Sequence, residues 1–153
     1  MIREIRLDEF ETLLVTGNEL LVILDTSFLM AIGSGRPSLE KLLDIIEGNP
    51  VLIIPRTVLS ELEKHSGNKR FSISSKASLA LVILRKTQIP VYVLGSSLSS
   101  HADDDIYLTV SMLKNTRFRL VVATVDKELR RRIKTLGVPV VYLRRTENRF
   151  ELG

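Results

Sequence analysis

The clearest indication of the fold lies at residues 20–27, which read Leu20-Leu21-Val22-Ile23-Leu24-Asp25-Thr26-Ser27. Five consecutive apolar residues, 20–24, are followed directly by an acid. A strand that is apolar on both faces is typical of a parallel sheet covered by helices on both sides, whereas a half-exposed strand alternates. We therefore predict a buried strand that ends at Asp25 and is followed by a helix beginning near Phe28.

Four more short apolar runs are similar to this first one. They occupy residues 51–54, 91–94, 120–123 and 140–143, and stretches with helical spacing of apolar residues separate most of them. This alternation predicts an α/β domain, a three-layer α/β/α sandwich with a central parallel sheet of five strands. We place the domain at residues 20–153. Residues 1–19 mix apolar and acidic residues, and we interpret them as an N-terminal helical extension.

Acidic residues lie after four of the five runs. Asp25 follows the first run, Glu61 lies in the helix after the second, Asp103–Asp105 begin the helix after the third, and Asp126 follows the fourth. In sheets of this kind the ligand crevice lies at the carboxyl ends of the strands, so these four positions are expected to converge. Oxygen ligands without His or Cys favour Mg²⁺ or Mn²⁺. We predict a divalent-metal site at this edge, with Asp25 as its most rigidly held ligand.

Each acid also has an ordinary structural explanation. Asp126 is well placed to cap a helix, Asp103–Asp105 favour the dipole of a helix's first turn, and Glu61 is spaced to pair with Lys64. Asp25 is the hardest to explain in this way, because an acid directly after a buried strand is unusual. These explanations leave the shared edge as a coincidence, and we therefore favour the metal site. Its carboxylates would be oriented by hydrogen bonds from three hydroxyl-bearing residues, Thr26, Ser27 and Thr124.

Composition narrows the classes of function. The 153-residue chain has no cysteine, which excludes thiolate zinc sites and cysteine nucleophiles. Residues 114–153 contain eleven Lys and Arg against four Asp and Glu, a local charge of +7 in a chain whose net charge is +4. A basic end beside an acidic cluster suits an enzyme that acts on a polyanion through metal ions. The chain has no apolar run as long as a membrane span and no signal-peptide pattern, so we expect a soluble, cytoplasmic protein.

Four segments together resemble the PIN-domain nucleases. They are residues 22–29 (VILDTSFL), 55–63 (PRTVLSELE), 102–106 (ADDDI) and 122–129 (VATVDKEL). Their order and spacing are those of the family, and the match covers about residues 20–145. Residues 123–142, with RRRI at 130–133 and GVP at 137–139, are most similar to the branch of the eukaryotic PIN endonuclease that processes small-subunit ribosomal RNA. We interpret the chain as an archaeal-type relative of that branch.

This resemblance implies metal-dependent endonucleolytic cleavage of single-stranded or structured RNA, with ribosomal RNA or its precursor as the partner. It assigns the catalytic and metal-ligating positions to Asp25, Glu61, Asp126 and one member of the Asp103–Asp105 run. The family's usual pattern, an acid two residues before an aliphatic residue, selects Asp104. The Ala-Asp-Asp signature of the branch keeps Asp103 as the second choice. Asp105 departs from that signature, because a small or apolar residue is more typical there.

Basic residues near the acids predict contacts with RNA phosphates. The candidates lie in the polar loop at 66–70 and in the helix after Asp126: Lys69, Arg70, Arg130, Arg131, Arg132 and Lys134. Three consecutive helical residues span most of the helix circumference, so only one or two of the arginines are expected to approach the site. We expect binding that is dominated by the RNA backbone and is sensitive to salt.

Other functions stay open. One is the PIN toxin of a toxin–antitoxin pair, which uses the same chemistry. Another is a phosphoryl-transfer or receiver domain with Asp25 as the acceptor, although Ser27 stands where a second acid is expected. A third is a non-catalytic RNA-binding factor for ribosome assembly. A homodimer that uses residues 1–19 also stays open.

Overall fold

A computed structural model describes residues 2–13, 17–35 and 37–153, except for the side chains of Leu13 and Arg145. Within this part of the chain seven strands form one sheet in the order β1-β4-β3-β2-β5-β6-β7. The strands are β1 (Ile2–Ile5), β2 (Glu19–Leu24), β3 (Asn49–Ile54), β4 (Val91–Leu94), β5 (Arg119–Ala123), β6 (Val140–Arg144) and β7 (Arg149–Leu152). All neighbours are parallel except β6 and β7. The predicted α/β sandwich is confirmed, and the sheet, which was predicted to be parallel, is mixed and mostly parallel.

Strand β2 lies at the centre of the sheet because its side chains can be buried on both faces. All six of its residues are buried. It pairs with β3 on one side, where Ile23 lies opposite Ile53, and with β5 on the other, where Leu24 lies opposite Ala123. The sheet therefore grows from β2 in two directions: β3 and β4 extend it on one side, and β5 and β6 extend it on the other. This is a topological switch point, and it opens a crevice at the carboxyl end of β2, directly before Asp25.

Helices connect and cover the strands. They are α1 (Phe10–Leu13), α2 (Thr26–Gly33), α3 (Arg56–Ser66), α4 (Phe71–Lys86), α5 (Ala102–Leu113) and α6 (Lys127–Lys134), together with short 3₁₀ turns at Leu7–Glu9, Leu39–Asp44 and Arg145–Glu147. Helices α2, α3 and α4 pack against one another, and α5 packs against α6. Helix α3 also contacts α5, which brings together the two helices that carry Glu61 and the Asp103–Asp105 run. In the described part of the chain, every helix is too short or too polar to cross a membrane.

The prediction of a wholly helical N-terminal extension is wrong for residues 2–5. These residues form β1, an edge strand parallel to β4, in which Ile5 is buried and lies opposite Leu94. A four-residue strand is too short to show a period, and its pairing partner lies far away in the sequence. Residues 7–13 are helical as predicted, and Phe10 packs on Phe118 with ring centroids 6.1 Å apart. Residues 14–16 lie outside the described residues.

The predicted number of five strands is also wrong, because β1 and β7 add one strand at each edge. Strand β7, which follows the last predicted apolar run, pairs antiparallel with β6. The turn before it contains Asn148 at φ +50°, a conformation that Asn adopts more readily than most residues. The ring of Phe150 lies 5.0 Å from that of Phe28 in α2, so β7 completes the core.

Two helix boundaries differ from the prediction. Helix α3 continues to Ser66 and α4 begins at Phe71, so the predicted loop at 66–70 is reduced to a short turn. Helix α2 begins at Thr26 rather than near Phe28, because Asp25 itself is the capping residue.

Candidate active site

Asp25 lies at the carboxyl end of β2, and its carboxylate is held on both oxygens. The side chain is nearly buried, with 3% of the residue exposed. Oδ1 accepts a hydrogen bond from the backbone N–H of Thr26 at 2.8 Å, which caps α2. Oδ2 accepts hydrogen bonds from Ser27 Oγ at 2.6 Å and from Thr124 Oγ1 at 2.7 Å. The carboxylate therefore has a fixed orientation at the switch point of the sheet.

A small hydroxyl network joins Asp25 to the segment after β5. Ser27 Oγ accepts a hydrogen bond from the backbone N–H of Val125 at 3.2 Å, and Thr124 Oγ1 accepts one from the backbone N–H of Asp126 at 3.1 Å. Ser27 and Thr124 thus occupy the orienting positions predicted for them. Thr26 contributes through its backbone, and its buried Oγ1 has no hydrogen-bond partner within the described residues.

Asp126 caps α6 with one oxygen and leaves the other available. Oδ1 accepts hydrogen bonds from the backbone N–H groups of Glu128 at 2.8 Å and Leu129 at 3.3 Å. No donor in the described part of the chain reaches Oδ2. The capping role expected from the sequence is therefore real, and it still leaves one carboxylate oxygen for a ligand.

Glu61 and Asp103 are partly buried acids within electrostatic reach of Asp25. Burial raises the pKa of Glu61, and the negative charges of Asp25 and Asp103 raise it further. Burial likewise raises the pKa of Asp103, with additional repulsion from Asp25 and Asp126. Glu61 and Asp103 are thus each within electrostatic reach of at least two other acids. Four carboxylates from four separate segments form one cluster of like charges: Asp25, Glu61, Asp103 and Asp126.

Asp104 is bonded to a basic residue rather than left without a partner. Its side chain is 47% exposed and accepts a hydrogen bond from Arg132 at 3.0 Å, on the side of α6. Successive helical residues are rotated by about 100°, so only one member of an acidic run in the first turn can face Asp25. The sequence pattern selected Asp104 as the principal acid, with Asp103 as the second choice. In the structure Asp103 is the member of the run whose pKa is raised, by burial and then by the charges of Asp25 and Asp126.

Asp105 has a structural contact that the sequence did not predict. It is almost fully buried, and its two oxygens accept hydrogen bonds from Thr57 Oγ1 at 2.7 Å and from the backbone N–H of Leu98 at 2.8 Å. Thr57 lies in the first turn of α3, one turn before Glu61. Asp105 therefore ties α5 to α3 and to the loop after β4. The signal available in the sequence was its departure from the family's small or apolar residue.

The donor chemistry of the cluster fits a hard divalent cation. All four members offer carboxylate oxygens, and within the described residues Asp126 has an oxygen without a donor. The pKa values of Glu61 and Asp103 are raised first by burial and then by repulsion from neighbouring carboxylates, which a cation relieves. In the described residues, however, no three acidic or histidine side chains are arranged closely enough to enclose a metal ion. Coordination would therefore require the more exposed side chains, Glu61 and Asp103, to turn towards the fixed carboxylate of Asp25.

The predicted RNA-contacting residues are distributed over two surfaces. Arg132 is the arginine nearest the acids: it bonds Asp104, lies 4.8 Å from the Tyr107 ring and lowers the pKa of Asp103. Arg130 stacks on Tyr142 at 3.6 Å, and Arg131 pairs with Glu128. Lys134 is exposed at the end of α6.

Lys69 and Arg70 are exposed in the turn before α4. They stand next to Phe71, which is 83% exposed. The exposure of Phe71 could not be predicted from the sequence, because an isolated Phe usually belongs to the core.

Comparisons with known proteins agree with this geometry. The sequence model of a family described as "PIN like domain" matches residues 22–146. The structure matches that of the PIN domain endonuclease Utp24 with a TM-score of 0.66 and 25% sequence identity, over 86% of this chain and 90% of the other. It also matches a domain of a functionally unknown protein from Methanocaldococcus jannaschii DSM 2661, with a TM-score of 0.58 and 20% identity, over 80% of this chain and 90% of the other. This second likeness shows the fold alone. No curated protein matches the sequence.

Proposed function

The chain belongs to the PIN-like domain family, and from this premise we propose that it is an endoribonuclease that uses divalent metal ions to hydrolyse RNA phosphodiester bonds. Proteins of this family are generally nucleases, and the similar Utp24 is an endonuclease. The observation that carries the proposal is the convergence of Asp25, Glu61, Asp103 and Asp126 at the switch point of the sheet. Like charges gathered at a ligand crevice need a counter-charge, and Mg²⁺ or Mn²⁺ supplies it.

Each acid has a distinct part in this proposal. Asp25 provides a rigid ligand, because Thr26, Ser27 and Thr124 fix its orientation. Asp126 provides its donor-free oxygen, and Glu61 and Asp103 complete the set from α3 and α5. Metal ions held there would activate water and stabilise the charge that develops at the phosphorus. Asp104 instead positions Arg132 through their hydrogen bond and is not a ligand in this proposal.

The proposed substrate is ribosomal RNA or its precursor. The support is the sequence resemblance to the rRNA-processing branch of the family and the structural likeness to Utp24. Basic residues at the surface in the turn 67–70 and on α6 support an RNA partner, because they offer positive charge to the RNA backbone. Neither the toxin nor the assembly-factor alternative is favoured by a specific contact in the structure.

Mn²⁺-dependent cleavage of a structured precursor rRNA fragment tests the proposal. We expect wild-type protein to cut the RNA internally and Asp25→Asn to lose this activity while its circular dichroism spectrum stays unchanged. Asn is a good helix N-cap, so α2 is expected to form in the variant. Cleavage that survives in Asp25→Asn would exclude this site, and RNA binding without cleavage in the wild type would favour the assembly factor.

A further inference from the structure

A cleft lies beside the acidic cluster, and the proposed cleavage reaction does not involve it. It has a volume of about 440 Å³ and lies between α2, the first turns of α4 and the turn before β7. Its lining includes Ser27, Ser34, Ile73, Lys76 and Asn148. This volume is within the range of about 300–1,000 Å³ that is usual for small-ligand sites.

The cleft is continuous with the candidate active site. Ser27, at its inner end, donates the 2.6 Å hydrogen bond to Asp25 Oδ2. Val125, which also lines the cleft, directly precedes Asp126. Within the cleft, Ser27 alone therefore separates a bound group from Asp25, and Val125 alone separates it from Asp126.

The chemistry of the walls matches one nucleotide. Met30, Ile73 and Leu143 offer apolar surface of the kind against which a base packs, and the hydroxyls and the Asn148 amide offer partners for sugar and base edges. Among the described residues, Lys76 is the one charged residue that lines the cleft, and no described carboxylate pairs with it. An unpaired ammonium beside an acidic centre is suited to a phosphate.

The width of the cleft depends on a close approach of α2 and α4. A Cβ atom placed on Gly33 would lie 2.0 Å from the backbone oxygen of Lys76, so only glycine permits this crossing. The same contact fixes the position of Lys76 relative to α2. The cleft is thus a built feature of two packed helices and does not depend on the conformation of a single loop.

Resting on the proposed function, we propose that this cleft binds one unpaired nucleotide of the RNA next to the cleaved bond. Lys76 contacts its phosphate, and the base lies against Met30 and Ile73. A space of this size admits a single extruded nucleotide and excludes a paired one, so the enzyme requires a single-stranded position beside the cut.

Binding measured without metal tests this inference independently of cleavage. The probes are a short fluorescein-labelled oligouridylate and the corresponding duplex, both in EDTA. We expect the single strand to bind more tightly, and Lys76→Ala to weaken it roughly tenfold with a salt slope smaller by about 0.7, as for one lost phosphate contact. Lys86→Ala is the matched control, because Lys86 is an exposed lysine at the opposite end of the same helix. It should bind like the wild type.

Photo-crosslinking locates the base. A thiouridine-labelled oligouridylate is expected to crosslink to peptides that contain Met30 or Ile73. Crosslinks confined to α6, or equal affinities for the wild type, Lys76→Ala and Lys86→Ala, would overturn the inference and leave the nuclease proposal intact. A wild-type protein that neither binds nor cuts any RNA would overturn both, and the cleft would then be a candidate for a protein partner.

Discussion

Asp105 accepts a hydrogen bond from Thr57 across the gap between α5 and α3, with a distance of 2.7 Å between the two oxygens. One of these helices carries Asp103 and the other carries Glu61, so this bond sets the spacing of two clustered acids. A hydrogen bond to a buried charged group contributes on the order of 1.5–3 kcal/mol to stability. The extra aspartate of this chain is therefore a tie between helices rather than an additional ligand.

Removing this tie is expected to impair metal binding more than the fold. Thr57→Val keeps the shape of the side chain and removes the donor to Asp105, so α3 loses its link to α5. We predict a weaker Mn²⁺ affinity by isothermal titration calorimetry and a loss of roughly 1–3 kcal/mol in unfolding free energy. The matched control is Thr109→Val on α5, because Thr109 is buried and its hydroxyl has no partner within the described residues. Equal Mn²⁺ affinities for Thr57→Val and the wild type would contradict the positioning role.

Asp103 and Asp104 are predicted to differ sharply in their effect on catalysis. Asp103 is repelled by Asp25 and Asp126, whereas Asp104 is bonded to Arg132. We expect Asp103→Asn to reduce single-turnover cleavage by about a hundredfold or more, the scale of a lost charge in transition-state stabilisation. Asp104→Asn should keep most of the activity. The reverse order would restore the assignment that the sequence pattern favoured.

Ser27 is predicted to support catalysis by orienting Asp25. Its hydroxyl donates to Asp25 Oδ2 and accepts from the Val125 N–H, so Ser27→Ala removes both contacts. We expect kcat to fall by about tenfold, at the lower end of the effects seen for partners of metal ligands. Ser60→Ala is a suitable control, because Ser60 is exposed and its hydroxyl donates to the backbone oxygen of Arg56 on its own helix. A fall in kcat of the same size in both variants would show that the effect does not arise from the orientation of Asp25.

The raised pKa values of Glu61 and Asp103 predict how stability depends on pH. Their ordinary values are 4.5 and 3.8, and both are higher in the folded protein. Between the ordinary and the raised values the folded state holds more protons than the unfolded chain. Stability therefore falls as pH rises through this window and then levels off.

Glu61→Gln mimics the protonated acid, so we expect a melting temperature above that of the wild type near pH 7 and equal to it near pH 4, where both forms are neutral. Glu63→Gln, which changes an exposed acid on the same helix, is the control. Added Mn²⁺ should raise the wild-type melting temperature near pH 7 and have little effect near pH 4, because protonated carboxylates bind metal poorly. If the melting temperatures of Glu61→Gln and the wild type differed by the same amount at every pH, the pKa of Glu61 would not be raised in the folded protein.

Much of the fold could be predicted because its central strands carry their own signal. The runs at 20–24, 91–94 and 120–123 fall within β2, β4 and β5, since strands buried on both faces are continuously apolar. The edge strands β1 and β7 could not be recognised in this way. They are short and carry charged residues on their exposed sides, and their pairing depends on partners that lie elsewhere in the sequence.

The acids show the same division between local and non-local information. Asp25 and Asp126 were located correctly at the sheet edge. Asp25 directly follows β2, and Asp126 caps the helix that follows β5. The choice between Asp103 and Asp104 depended on where α5 begins and on how it is rotated against the sheet. That rotation is set by packing and by the contacts of Asp105, which the residue pattern of α5 alone does not contain.

Because Gly33 has no side chain, it sets the size of the cleft between α2 and α4. Helices α2 and α4 meet there backbone to backbone, so their separation is fixed by peptide atoms that no side-chain rotation can alter. A single methyl group at this position would push α4 outward and enlarge the opening above Ser27. In a protein with this architecture, the size of the group that the cleft admits can thus be changed at a residue that does not contact that group.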